Sequence, residues 1–256
     1  MSIYYRAVQN EIETVKQAAE IGLPVLLKGP TGCGKTRFVR YMAEQLGLDL
    51  ITVLCQEDLT AADLTGRYLI KGGDTVWQDG PLTTGVRQGA IVYLDEVVEA
   101  RSDVLSAIHS LTDDRRTLSL ERTGEVLQAP PQFMLMVSYN PAPQSMRKRL
   151  QSSTQQRFVS LCFDYPAPEI EAEIVVHESG LSTDDAKRLV SLGQSTRRLQ
   201  QLGLHQGAST RCLINAGRLW KSGMEPRAAI QTTLIDSLTD DPSLREALET
   251  LVQDAF

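Results

Sequence analysis

The chain has 256 residues, of which 42% are hydrophobic and 23% charged, with a formal net charge of −6. That length and apolar content suffice for one large domain or for a core with a smaller companion. The acidic balance argues against a protein whose main task is coating DNA or an anionic membrane. Its four cysteines, Cys33, Cys55, Cys162 and Cys212, form no C-x-x-C pair. They speak against a zinc site or disulfide framework and for buried, reduced thiols. The first residues lack an apolar leader core, and no run approaches the roughly 18 apolar residues of a membrane span. A soluble, cytoplasmic protein without membrane insertion is expected.

In chain order, Val8, Ile12, Val15 and Ala19 recur at helical spacing and predict an amphipathic helix over 7–21, closed by Gly22. A short buried strand follows over 23–28. Phe38, Val39, Met42 and Leu46 then share one face of a helix over 35–46, and 50–54 reads as the next strand. Further apolar runs at 90–94, 133–138 and 158–163 make five strands. Continuous apolar strands alternating with helices predict an α/β fold with a mainly parallel sheet covered on both faces. Two connections carry extra hairpins, at about 67–79, around Lys71-Gly72-Gly73-Asp74, and at about 116–129, around Arg122-Thr123-Gly124. Two prolines in Asp164-Tyr165-Pro166-Ala167-Pro168 mark a linker. Beyond it only helical signals occur, including Ser182 with Asp185 as a capping start, Pro226, and Asp241-Pro242. The expected division is an α/β domain over 1–165 and an all-helical domain over 166–256.

The chemistry begins at Gly29-Pro30-Thr31-Gly32-Cys33-Gly34-Lys35-Thr36, which completes G-x-x-x-x-G-K-[ST] between the first strand and a helix. Glycines let the backbone wrap a polyphosphate and turn N–H groups inward; Lys35 reaches the outer phosphates and the Thr36 hydroxyl can ligate Mg²⁺. The third strand ends in Asp95-Glu96. Asp95 is placed to hold the metal shell and Glu96 to polarise the attacking water. Asn140 ends another buried strand, where it either orients water or γ-phosphate or simply forms the turn before Pro141. Arg147-Lys148-Arg149 reads as a solvated charge cluster. Tyr4, Tyr5 and Val8 neighbour the adenine only by their position ahead of the first strand.

Together with Gln155-Gln156-Arg157-Phe158 and Gly207-Ala208-Ser209-Thr210-Arg211, these motifs resemble an AAA+ P-loop ATPase of the MoxR group. Five further segments, Leu23 to Phe38, Asp63 to Tyr68, Trp77 to Leu82, Tyr93 to Arg101 and Leu111 to Arg116, together with Asp236 to Pro242, look like its CbbQ/NorQ branch. The resemblance implies a core plus a helical lid, with ATP and Mg²⁺ as cofactors. It makes Asn140 sensor 1, Arg157 an arginine finger serving a neighbouring subunit and Arg211 sensor 2, with Arg37 and Arg211 joining the nucleotide contacts. A guanidinium near the γ-phosphate neutralises charge spreading over its oxygens. The resemblance further implies a homo-hexamer that remodels an enzyme client: rubisco, with a CbbO-like von Willebrand A domain adaptor, or nitric oxide reductase in NorQ relatives. A low-turnover assembly switch remains an alternative from another class, and a nucleic-acid motor is disfavoured by the acidic balance. The two hairpins are expected to engage the partner. Trp77 either anchors that partner or packs beneath its hairpin.

Overall fold

A computed structural model describes residues 2–141, 150–199, 204 and 206–256. The Arg147-Lys148-Arg149 cluster lies outside the described residues. The chain forms two compact units, one of Met1–Pro30 with Lys35–Phe163, the other of Thr31–Gly34 with Asp164–Phe256.

The first unit opens with α1 (Glu11–Glu20), four residues later than the apolar spacing predicts. Glu11 causes the difference. Its carboxylate accepts hydrogen bonds from the Val8 and Gln9 amides and the Tyr5 hydroxyl at 2.8, 2.7 and 2.8 Å, which ties the preceding residues into a loop. Then come β1 (Val25–Lys28), α2 (Lys35–Leu46), β2 (Leu50–Leu54), α3 (Ala61–Thr65), β3 (Gly66–Lys71), β4 (Asp74–Asp79), α4 (Pro81–Gln88) and β5 (Ile91–Asp95). They are followed by α5 (Ser102–His109), β6 (Thr117–Leu120), β7 (Glu125–Gln128), β8 (Met134–Tyr139), α6 (Ser152–Gln155) and β9 (Val159–Cys162).

Five strands pair in the order β2-β5-β8-β1-β9, every pair parallel. Successive side chains point to opposite faces of a strand. Leu26, Val92, Leu94, Leu135 and Val137 accordingly enter one apolar cluster, and Val25, Leu27, Ile91, Tyr93, Met134 and Met136 the other. Both faces are covered, so the strands read as unbroken apolar runs. β9 is an edge strand of alternating burial, which leaves Cys162 exposed, contrary to the expectation of buried thiols.

The remaining strands make the two hairpins, β3 with β4 and β6 with β7, both antiparallel. Gly72 and Gly73, at φ 62° and 93°, turn the first. They allow left-handed backbone without a Cβ penalty. Arg87 of α4 pairs with Asp79 at 2.8 Å and with Glu125 at 2.6 Å, joining the base of one hairpin to the other. Arg116 donates to the carbonyls of Gly22, Pro130 and Phe133 and fixes the second hairpin to the turn after α1. Trp77 is half-buried: its Nε1 donates to Asp79 at 2.7 Å, its ring meets Tyr68 edge-on at 5.2 Å, and it packs on the core.

The second unit is helical: α7 (Pro168–Ser179), α8 (Thr183–Arg198), α9 (Thr210–Lys221), α10 (Pro226–Ile230), a wide turn over Gln231–Ile235, α11 (Asp236–Leu238) and α12 (Pro242–Ala255). Ser182, Ser209, Glu225 and Asp241 each accept a backbone N–H at a helix start. These caps satisfy donors that have no partner within the helix. Ala172, Val175, Leu189, Leu213, Ile230, Leu234 and Leu248 are among the side chains of its own core. Among the described residues, no helix is long and apolar enough to cross a membrane.

Candidate nucleotide site

The parallel sheet brings the sequence motifs to one edge. β1 leads into the loop Gly29 to Thr36, β5 ends at Asp95, and β8, which lies between them, ends just before Asn140. Lys28 is in register with Tyr139, and Leu94 with Val137. The Gly29 amide donates to the Tyr139 carbonyl at 3.3 Å. Asn140 therefore stands between Glu96 and Gly29 along that edge. Ligands of open parallel sheets bind at such strand C-termini.

The loop's glycines are required by geometry. A Cβ on Gly29 would come within 2.5 Å of the Phe163 carbonyl oxygen, and Gly32 and Gly34 have φ of 74° and 108°. Within the second unit, a Cβ on Gly32 would press on Ser209 and touch Arg211, and the Tyr165 hydroxyl donates to the Thr31 carbonyl at 3.2 Å. Arg211 itself is exposed on the first turn of α9. Lys35, the first residue of α2, is buried, its ammonium held by the Gly29 and Pro30 carbonyls at 2.7 and 2.9 Å. A polyphosphate offers that ammonium charged acceptors, which bind more strongly than neutral carbonyls. The twelve-residue α2 adds its N-terminal dipole. Arg37 Nε donates to the Tyr4 carbonyl at 2.7 Å, which anchors the N-terminal segment.

Asp95 sits in a ring of hydroxyls. Its Oδ2 accepts from Thr36 at 3.1 Å; its Oδ1 accepts from Tyr93 at 2.8 Å and from Ser138 at 2.5 Å. A carboxylate beside a loop hydroxyl is an all-oxygen donor pair, and Mg²⁺ is commonly held by one or two such protein groups plus substrate phosphates. Thr36 and Asp95 therefore fit the ion. Glu96 adopts left-handed backbone, φ 57° and ψ 43°, with its side chain exposed at the end of β5. For a non-glycine residue that costs about 1–2 kcal/mol, and such outliers persist where the surroundings impose them. The turn leaves one carboxylate inside with Thr36 and sends the next outward, where it can meet a water. Burial, with Asp95 and Glu96 nearby, pushes the Cys55 thiol up to about 12.

Arg157 follows α6 at the surface, where Nη1 donates to the His109 carbonyl at 3.3 Å and pairs with Asp113 at 3.6 Å. Tyr93 and Ser138 were not singled out in the sequence. The available signal was a hydroxyl inside each of two buried strands, since buried polar atoms need partners.

Two family models match the chain. Residues 24–158 match the AAA domain of the dynein-related subfamily, and residues 171–255 match the CbbQ/NirQ/NorQ C-terminal family. The denitrification regulatory protein NirQ of Pseudomonas aeruginosa is 59% identical over 97% of this chain and 96% of its own. Protein CbbQ of Hydrogenophilus thermoluteolus is 54% identical over 99% of this chain and 95% of its own. Protein NorQ of Paracoccus denitrificans is 53% identical over 99% and 94%. In fold the chain resembles NtrX from Brucella abortus, crystallised with ADP, with a TM-score of 0.58 at 16% identity, covering 98% of this chain and 62% of that one. With both halves matched and relatives above half identity across nearly the whole length, the chain belongs to the CbbQ/NirQ/NorQ family of AAA+ ATPases.

Proposed function

We propose that the chain is an ATP-driven remodelling motor that works in the cytoplasm as a homo-hexameric ring and uses Mg-ATP hydrolysis to activate an enzyme client. Lys35 holds the outer phosphates, Thr36 and Asp95 take the magnesium, and Glu96 polarises water. Asn140 orients that water, Arg211 reads the γ-phosphate, and Arg157 completes the site of the next subunit. The carrying observation is the pairing of this hydrolytic set with two hairpins, joined by Arg87, that phosphoryl transfer does not need. Glu96→Gln tests it. A motor with that change binds ATP but loses client activation, whereas unchanged activation means a nucleotide-dependent assembly switch.

Two clients suit the family. Rubisco, reached through a CbbO-like adaptor, is supported by the 54% identity to CbbQ. A denitrification enzyme such as nitric oxide reductase is supported by the 59% identity to a denitrification regulatory protein and the 53% identity to NorQ. Identities of 53–59% to relatives of both kinds support the two readings equally. The deciding experiment supplies the purified ATPase and ATP to inhibited rubisco with its adaptor, and in parallel compares nitric oxide reductase activity in cells with and without this chain.

A further inference from the structure

The geometry points to Ser138 and Tyr93 as positioning residues that orient Asp95 for the metal, with Ser138 also holding the backbone turn that presents Glu96. This rests on the Mg-ATP reading above.

Ser138 is fully buried two residues before Asn140, on the strand between Asp95 and the phosphate loop. A serine hydroxyl has one proton and two lone pairs. Here the proton goes to Asp95 Oδ1 and the oxygen accepts from the Glu96 amide at 3.3 Å, while the Tyr93 hydroxyl, 2.9 Å away, shares its single proton between that oxygen and Asp95 Oδ1. Tyr93, also fully buried, reaches the same Oδ1. With Oδ1 committed to these two strand hydroxyls, the other oxygen, Oδ2, faces Thr36. The carboxylate cannot rotate without breaking two hydrogen bonds to hydroxyls that are themselves fully buried, where an unmatched polar group is costly.

The two hydroxyls differ in reach. Tyr93 bonds the Asp95 carboxylate and Ser138, but Ser138 alone also accepts from the Glu96 amide, at a residue that holds left-handed backbone. Losing the tyrosine hydroxyl should therefore disturb the metal side only. Losing the serine hydroxyl should disturb both the metal and the water-activating carboxylate. Groups that orient a metal's ligands typically contribute 10–100-fold to affinity or activity.

Affinity for a fluorescent ADP analogue, measured in Mg²⁺ and again in EDTA, separates the alternatives in the full-length chain. Tyr93→Phe, which leaves the ring in place, should keep its EDTA affinity within about twofold of wild type and lose about 10-fold of the Mg²⁺-dependent tightening. Ser138→Ala should show the same loss of tightening and a kcat about 10-fold lower even at saturating Mg²⁺. If both variants keep the wild-type Mg²⁺ ratio, or lose only EDTA affinity, the assignment is overturned. A wild-type protein whose affinity ignores Mg²⁺ would instead overturn the Mg-ATP reading itself.

Discussion

Arg197 grips Glu171 through two nitrogens, each 2.7 Å from a carboxylate oxygen, and Glu171 is completely buried. Thr210 of α9 donates to the same carboxylate, Arg197 Nε donates to the Ala208 carbonyl at 2.8 Å, and its guanidinium lies 3.9 Å over the Tyr165 ring. One ion pair thus ties α7, α8 and the start of α9, the turn that carries Arg211. Removing one partner strands a charge in a low-dielectric interior, a cost of about 3–5 kcal/mol. Arg197→Met should lower the urea midpoint accordingly at an unchanged denaturant slope. Glu171→Leu with Arg197→Met should recover much of the loss, because the pair repays little beyond its own desolvation.

A second prediction concerns pH. Burial pushes the Glu11 carboxyl up, but amide donors at Val8 and Glu11 itself, the Tyr5 hydroxyl and the Gln9 amide outweigh it and hold the group below the ordinary carboxylate range. A depressed folded-state value means that the stabilisation is complete above the unfolded carboxylate value and is lost as pH falls through the folded one. Hydrogen bonds to a charged acceptor suggest about 2 kcal/mol for the network. Thermal stability measured between about pH 3 and 7 should therefore fall more steeply in wild type than in Glu11→Gln. Parallel curves would leave Glu11 without that role.

How far the sequence revealed this molecule follows the range of each interaction. The five sheet strands lie within a residue or two of their apolar runs, because a strand covered on both faces carries its signal within itself. The phosphate loop and Asp95-Glu96 were legible for the same reason: each is a contiguous segment. What escaped depends on partners distant in sequence. Ser138 meets Asp95 across 43 residues, and Arg197 meets Glu171 across 26. Spacing rules carry no trace of such pairs.

The hairpins give a third prediction. With Trp77 packed inward, the side chains they leave exposed include Ile70, at 81%, and Val126, at 64%. Ile70→Asp and Val126→Asp should leave ATP turnover within about twofold, since substitutions exposed to solvent seldom disturb a fold, and should abolish client activation if these hairpins do the coupling. Trp77→Ala should instead lower stability by roughly 2 kcal/mol, less than the 3–5 typical of a fully buried tryptophan. Normal activation in both aspartate variants would remove the hairpins from the coupling.

Arg157 supplies the last and most discriminating prediction. Its bonds to the His109 carbonyl and Asp113 are exposed, and an exposed pair of this kind contributes little to stability. A residue so lightly held can be drawn away by a nucleotide phosphate on an adjoining subunit at little cost. Arg157→Ala should then retain ATP affinity while losing about 10³-fold or more in kcat, as other arginine fingers do. Mixing decides whether the residue acts across subunits. Lys35→Ala chains have a crippled phosphate loop but an intact Arg157, and Arg157→Ala chains have the converse. Each alone should be nearly inactive. Combined, they should regain turnover at those junctions where the arginine of one chain faces the intact loop of the other. An arginine acting within its own chain would give no recovery at any mixing ratio.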